Sequence, residues 1–193
     1  MKKNLMTLAA VFCCAMTMAV FSACTSDNID NSTAPTIDVN KGIVIDLDSI
    51  VIKPYLQLGA TLADVEKYMK ENYADWTYIK EKQVVGTRFS KAYNKGNEII
   101  MFIYDNIPAG SLYAASYGFY NSEVSFPAVK AELERNGFIY QGKLDFGNPD
   151  VVDEYHMLLN ADKTIEVQFI RSSNIWAIDF QPFDEDDMNH LVN

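Results

Sequence analysis

Two periodicities share the chain. Leu62, Val65 and Met69, and again Phe126, Val129 and Leu133, recur at helical spacing and predict two short amphipathic helices with buried stripes. Thr61 and Ser125 precede them as N-caps, whose hydroxyls accept from first-turn amides. Asp64 sits at the third position of the first helix, and Pro127 lies in the first turn of the second, where its missing N–H costs nothing. Asn136-Gly137 ends the second helix with a left-handed glycine cap. Elsewhere the apolar residues alternate as in strands. The predicted strands lie near 76–80, 86–92, 98–104 and 112–120, then near 138–141, 152–160, 163–171 and 174–181, with hairpin turns at 94–97 and 160–163.

The two halves line up. Thr61 to Val65 with Met69 matches Ser125 to Val129 with Leu133, Asn94 to Ile103 matches Asn160 to Phe169, and Tyr113 to Tyr117 matches Trp176 to Phe180, at an offset of about 62 to 66 residues. The expected fold class is therefore α+β: two tandem repeats of one helix plus a four-stranded antiparallel sheet, able to join as one continuous curved sheet. The first repeat occupies 42–121 and includes a lead-in strand over 42–52. The second occupies 122–183, and an acidic tail fills 184–193. Alternation assigns Ile99, Met101 and Ile103, with Ile165, Val167, Phe169, Trp176, Ile178 and Phe180, to the helix-covered face.

The start of the chain has a different pattern. Met1-Lys2-Lys3-Asn4 is followed by an uncharged run from Leu5 to Phe21, shorter than the roughly 20 residues of a bilayer span and ending in small residues, the layout of a signal peptide. Phe21-Ser22-Ala23-Cys24 resembles the lipobox of bacterial lipoproteins, with Phe in place of the commonest Leu. The resemblance implies cleavage after residue 23 and a diacylglycerol and acyl anchor on Cys24. Several acyl chains on one residue make a stable tether, because each buried methylene contributes about 0.8 kcal/mol. Thr25 stands where the resemblance would place Asp as an inner-membrane retention signal, which points to the outer membrane, facing periplasm or cell surface. Residues 24–41, rich in Ser, Thr, Asn and Asp, read as a flexible tether.

Processing changes the charge and the cysteine count. The full chain carries 16 basic and 26 acidic side chains; loss of Lys2 and Lys3 leaves 14 basic and a more acidic protein. That acidity argues against nucleic acid as a partner. Cys13 and Cys14 leave with the signal, so Cys24 alone remains, and neither an internal disulfide nor a cysteine metal site is expected. No phosphate-cradling loop, nucleophile elbow or zinc spacing occurs, and no cofactor is implied. His156 neighbours Glu154 by alternation, and both are expected on the solvated face with Glu166 and Gln168. A histidine base supported by a carboxylate is the one catalytic arrangement on offer, set against a plain polar sheet face. Asp184 to Asp187 lacks the glycine and distal glutamate of a calcium loop and reads as a solvated acidic segment holding no metal, with His190 beside it in the terminal stretch.

Gly59-Ala60-Thr61-Leu62-Ala63-Asp64-Val65 resembles the G-x-T-x-x-x-V helix entry of the β-lactamase-inhibitor-protein-like group, whose inhibitor has tandem helix-plus-four-strand units. The second half keeps Ser125 and Val129 but has Glu123 in place of the glycine. The resemblance implies architecture and carries no function by itself. The functional expectation comes from an asymmetry between halves. Thr164, Glu166 and Gln168 suit water, whereas their counterparts Ile100, Phe102 and Tyr104, with Leu112 and Tyr120 on the next strand, form a candidate interaction patch unless the chain covers them. A non-enzymatic, lipid-anchored envelope protein that binds another envelope protein, in the manner of an assembly accessory or inhibitor, is the first expectation. A binder of glycans or other extracellular ligands through Tyr104, Tyr113 or Tyr120 is the second.

Overall fold

The computed structural model describes residues 42–85, 87–105, 110–120, 123–146 and 152–192, with only the backbone course over 80–85. The expected signal peptide, the expected anchor residue Cys24 and the expected tether lie outside the described residues. The chain opens with a hairpin, β1 (Ile45–Leu47) and β2 (Ile50–Ile52), where a single lead-in strand is expected; Asp48 turns it with a positive φ of 55°. Then come α1 (Leu62–Asn72), β3 (Thr77–Val85), β4 (Arg88–Lys95), β5 (Glu98–Asp105) and β6 (Ser111–Tyr120). They are followed by α2 (Phe126–Arg135), β7 (Ile139–Leu144), β8 (Glu154–Leu159), β9 (Ile165–Ser172) and β10 (Ile175–Pro182). A 3-10 turn (Glu185–His190) and β11 (Leu191–Val192) finish the chain.

This is a mostly β protein, which corrects the expected class of two helix-plus-four-strand repeats. One nine-stranded antiparallel sheet runs β11-β7-β8-β9-β10-β6-β5-β4-β3, and β1-β2 form a separate small sheet. The helices are short, at 11 and 10 residues, and lie against one face of that sheet. The sheet has no seam. β6 and β10 pair from Ile175↔Tyr120 to Phe180↔Ala115, so apolar residues from both halves share one core. The correspondence between halves is the ordinary alternation of strands in that single sheet.

One cross-strand row defines the faces: Tyr93, Ile100, Tyr117, Ile178, Phe169, His156 and Lys143 are successive partners from β4 to β7. This near face packs on the hairpin residues Ile45, Leu47, Ile50 and Ile52, on Val65 and Met69 of α1, and on Val129 and Leu133 of α2. Ile100, Phe102 and Tyr104 belong to it and are fully buried. Ile99, Met101 and Ile103, expected under the helices, point to the far face with Met157, Leu159, Ile170 and Ala177. Six consecutive buried residues on β5 leave no polar alternation to tell one face from the other. Glu166 and Gln168, expected in water, are likewise buried on the far side.

The terminal segment is a correction of a different kind. Residues 184–192 fold back as the 3-10 turn and β11, which pairs with β7 through Leu191↔Leu144. The α1 entry forms the expected capping box: Thr61 Oγ1 accepts from Asp64 N, and Asp64 Oδ2 accepts from Thr61 N at 2.9 Å. Ser125 occupies the N-cap of α2, but its hydroxyl makes no cap bond.

Candidate functional site

The expected patch is not a surface. Ile100, Phe102, Tyr104 and Leu112 are buried in the near-face core beneath α1 and the hairpin. Tyr120 packs half-buried on the far side. Leu112 and Tyr120, eight residues apart, would share a face in a regular strand. A bulge between Ile103 and Tyr104 of β5 and the facing part of β6 sets two β6 residues against one and reverses the face there. Tyr104 stacks on Phe89 at 5.1 Å, and Tyr113 lies under the Arg88 guanidinium at 3.3 Å. The three tyrosines expected to hold a glycan are therefore packed in the molecule.

Chemistry gathers instead where the near-face row ends, in an open cleft of about 600 Å³ between the start of α2 and strands β7 to β9. Antiparallel pairing places Lys143, His156 and Phe169 side by side, and Glu154 opposite Arg171. The His156 ring lies flat on Phe126, centroids 3.5 Å apart and planes 7° apart. Tyr140 Oη is 3.0 Å from His156 Nδ1, and Glu154 Oε2 is 3.6 Å from Nε2. Burial, with Lys143 beside it, holds the imidazole below its ordinary pKa despite the pull of Glu154, so the ring is neutral near pH 7. The other oxygen of that carboxylate is taken by Arg171, whose Nη1 donates to Glu154 Oε1 at 3.1 Å.

Arg171 is held firmly. Its Nε donates to the Ser173 carbonyl at 3.0 Å, and its guanidinium lies 5.0 Å from the Trp176 ring. These bonds use two of five N–H donors. Asp153, on the same rim, accepts from Ser173 N. The sequence reading of His156 beside Glu154 holds in distance but not in face: both point to the helix side, away from Glu166 and Gln168. Arg171 and Lys143 escaped sequence reasoning because Arg171 sits 17 residues from Glu154 and Lys143 13 from His156, and each meets its partner only through strand pairing.

A second, smaller groove of about 380 Å³ borders the hairpin, lined by Lys53, Tyr55, Gln57, Tyr68 and Asn72. Its tyrosines are structural: the Tyr55 hydroxyl donates to Gln57 Oε1 at 3.1 Å, and the Tyr68 hydroxyl donates to the Lys53 carbonyl, which the core residues Tyr73 and Tyr117 also bond. Asp184 caps the 3-10 turn that contains Glu185, Asp186 and Asp187, and no group of three or more potential metal ligands occurs among the described residues. No known protein family matches the chain, and no curated protein or solved structure is similar to it.

Proposed function

We propose that this is a lipid-anchored cell-envelope protein of non-enzymatic type, tethered through Cys24 at the outer membrane, which binds a small extracellular ligand bearing an acid group in the His156 cleft. The observation that carries the reading is the pairing of a preorganised Arg171, with donors to spare, and Lys143 beside the stacked His156–Phe126 wall. An acidic sugar has the chemistry to use both: its carboxylate meets the cations and its apolar ring face meets the aromatic wall. Binding supports this reading better than catalysis does, because Glu154 is engaged by Arg171 and the His156 ring is locked by Phe126 and Tyr140. Protein binding through the sheet face loses its support with Ile100, Phe102 and Tyr104 in the core.

Titration with glucuronate, followed by Trp176 fluorescence and calorimetry, tests the cleft. Saturable binding that weakens at least tenfold in Arg171→Ala is expected, since charge-assisted pairs contribute about 1.5–3 kcal/mol. Absence of binding to the wild type, or equal binding by the variant, overturns the ligand assignment. Mass spectrometry of the membrane-extracted protein tests the tether: a diacylglyceryl-modified Cys24 is expected, and an unmodified one refutes it.

A further inference from the structure

Two carboxyl groups meet out of water on the far face of the sheet. Glu166 on β9 is fully buried, and Asp187 on the terminal 3-10 turn is 6% exposed. One nitrogen, Gln168 Nε2, donates to both, at 2.7 Å to Glu166 Oε1 and 2.8 Å to Asp187 Oδ2. Gln181 Nε2 also donates to Glu166 Oε1, Asp184 N approaches Oε2 at 3.4 Å, and the Tyr155 hydroxyl donates to Gln168 Oε1. All these donors are neutral.

Among the described residues, the hydrogen-bond donors to the pair include no Lys or Arg, and His190 is the cationic group that favours an ionised Asp187. Tyr155 faces the pair from β8, and Asp179 of β10, bonded by the Ser116 hydroxyl of β6, lies beside Tyr155. Tyr113 faces it from β6, and the Arg88 guanidinium of β4 covers that ring while bonding Asp105 at 2.8 Å. The terminal segment adds Asp184, Asp186 and His190, the last packed on Phe146 with ring centroids 4.4 Å apart. Two carboxylates bridged by one amide in this setting cannot both ionise; they hold a proton between them.

We propose that Glu166 and Asp187 form a proton-operated latch, which fastens the terminal segment 184–192 to the sheet while the pair holds its proton and releases the segment when the proton passes to solvent. Ionisation leaves two like charges in a buried network, and the pair separates most readily by moving Asp187, because Glu166, near the start of β9, is held between β8 and β10 through Leu159 and Gln181. Among the described residues the segment is also attached by Asp145 N, which donates to the His190 carbonyl at 2.9 Å, by two residues of β11 that pair with β7, by the His190 ring on Phe146 and by Leu191 in the far-face cluster. Its departure uncovers Leu144, Phe146 and Tyr155 of the far-face cluster. The latch lies across the sheet from the His156 cleft and does not depend on the ligand proposed there.

Hydrogen exchange of the full chain between pH 6 and pH 9, normalised to the intrinsic rate at each pH, tests the latch. Protection of the Asp145, Asp187 and Leu191 amides is expected to fall about tenfold per pH unit once the pair titrates, while β5, β6 and β10 stay protected. Glu166→Gln and, independently, Asp187→Asn are expected to hold the segment's protection level across the range. A wild-type segment whose protection does not change with pH overturns the proposal. So does loss of protection spread equally over the central strands, or variants that lose it as the wild type does.

Discussion

Tyr104 shows how a single atom decides the sign of a substitution. Its ring stacks on Phe89 in the core, yet its hydroxyl is buried without a hydrogen-bond partner among the described residues. An unpaired buried hydroxyl costs about 1–3 kcal/mol, so Tyr104→Phe is expected to raise stability by about 1 kcal/mol in a denaturant melt. A loss would show that the hydroxyl is bonded in solution. Its neighbour Phe102, fully buried, behaves oppositely: Phe102→Ala is expected to cost about 3–5 kcal/mol. At this scale the chain is legible where a residue acts on its own backbone neighbours. Thr61 and Asp64 form their box within one turn. Ser125, with the same hydroxyl chemistry, makes no cap bond; the third position of α2 is Ala128, which cannot return the bond that Asp64 supplies, and Pro127 has no N–H to offer.

At the scale of elements, the end of α2 is the clearest case of local chemistry setting shape. Gly137 adopts φ 89°, Phe138 N donates to the Leu133 carbonyl at 3.1 Å, and Gly137 N donates to Glu134 O at 3.0 Å. This is the six-to-one and five-to-two pairing of a Schellman cap, and Leu133 and Phe138 close it in the same apolar cluster. Gly137→Ala places a Cβ in the left-handed region and is expected to lower stability by about 1 kcal/mol, measurable by thermal melt. Strands and turns were legible because alternation and turn residues are local signals. The face each strand presents was not. β5 is apolar on both sides, and the bulge opposite Tyr104 depends on how β5 and β6 pair, which their separate sequences do not record.

For the whole molecule, the decisive contact is the β6–β10 pairing across some 60 residues of chain, which turns two readable halves into one sheet with two buried faces. A buried far face brings its acids out of water, and they set the pH response. Burial raises Glu166 to about 8 and Asp179 to about 7, and raises Asp187 as well, the last two against the pull of their hydrogen bonds. Groups whose folded pKa is raised bind more protons folded than unfolded. Their stabilisation is complete below the ordinary carboxylate range and is lost as pH rises through about 7 to 8. His156, lowered by burial, acts in the opposite sense below its ordinary value near 6.5. Melting temperature is expected to fall between pH 6.5 and pH 8.5, and Asp179→Asn to flatten that fall; an unchanged slope in the variant would assign it elsewhere. The opening hairpin bears on time as well as shape. Val44 accepts from Asn136 Nδ2 across 92 residues, and Ile45, Leu47, Ile50 and Ile52 pack in a core that includes α2. In a chain made from its N-terminus onward, that hairpin is the first described piece to appear and among the last to find its seat. Its four isoleucine and leucine side chains have no complete seat until α2, which ends at Arg135, has been made.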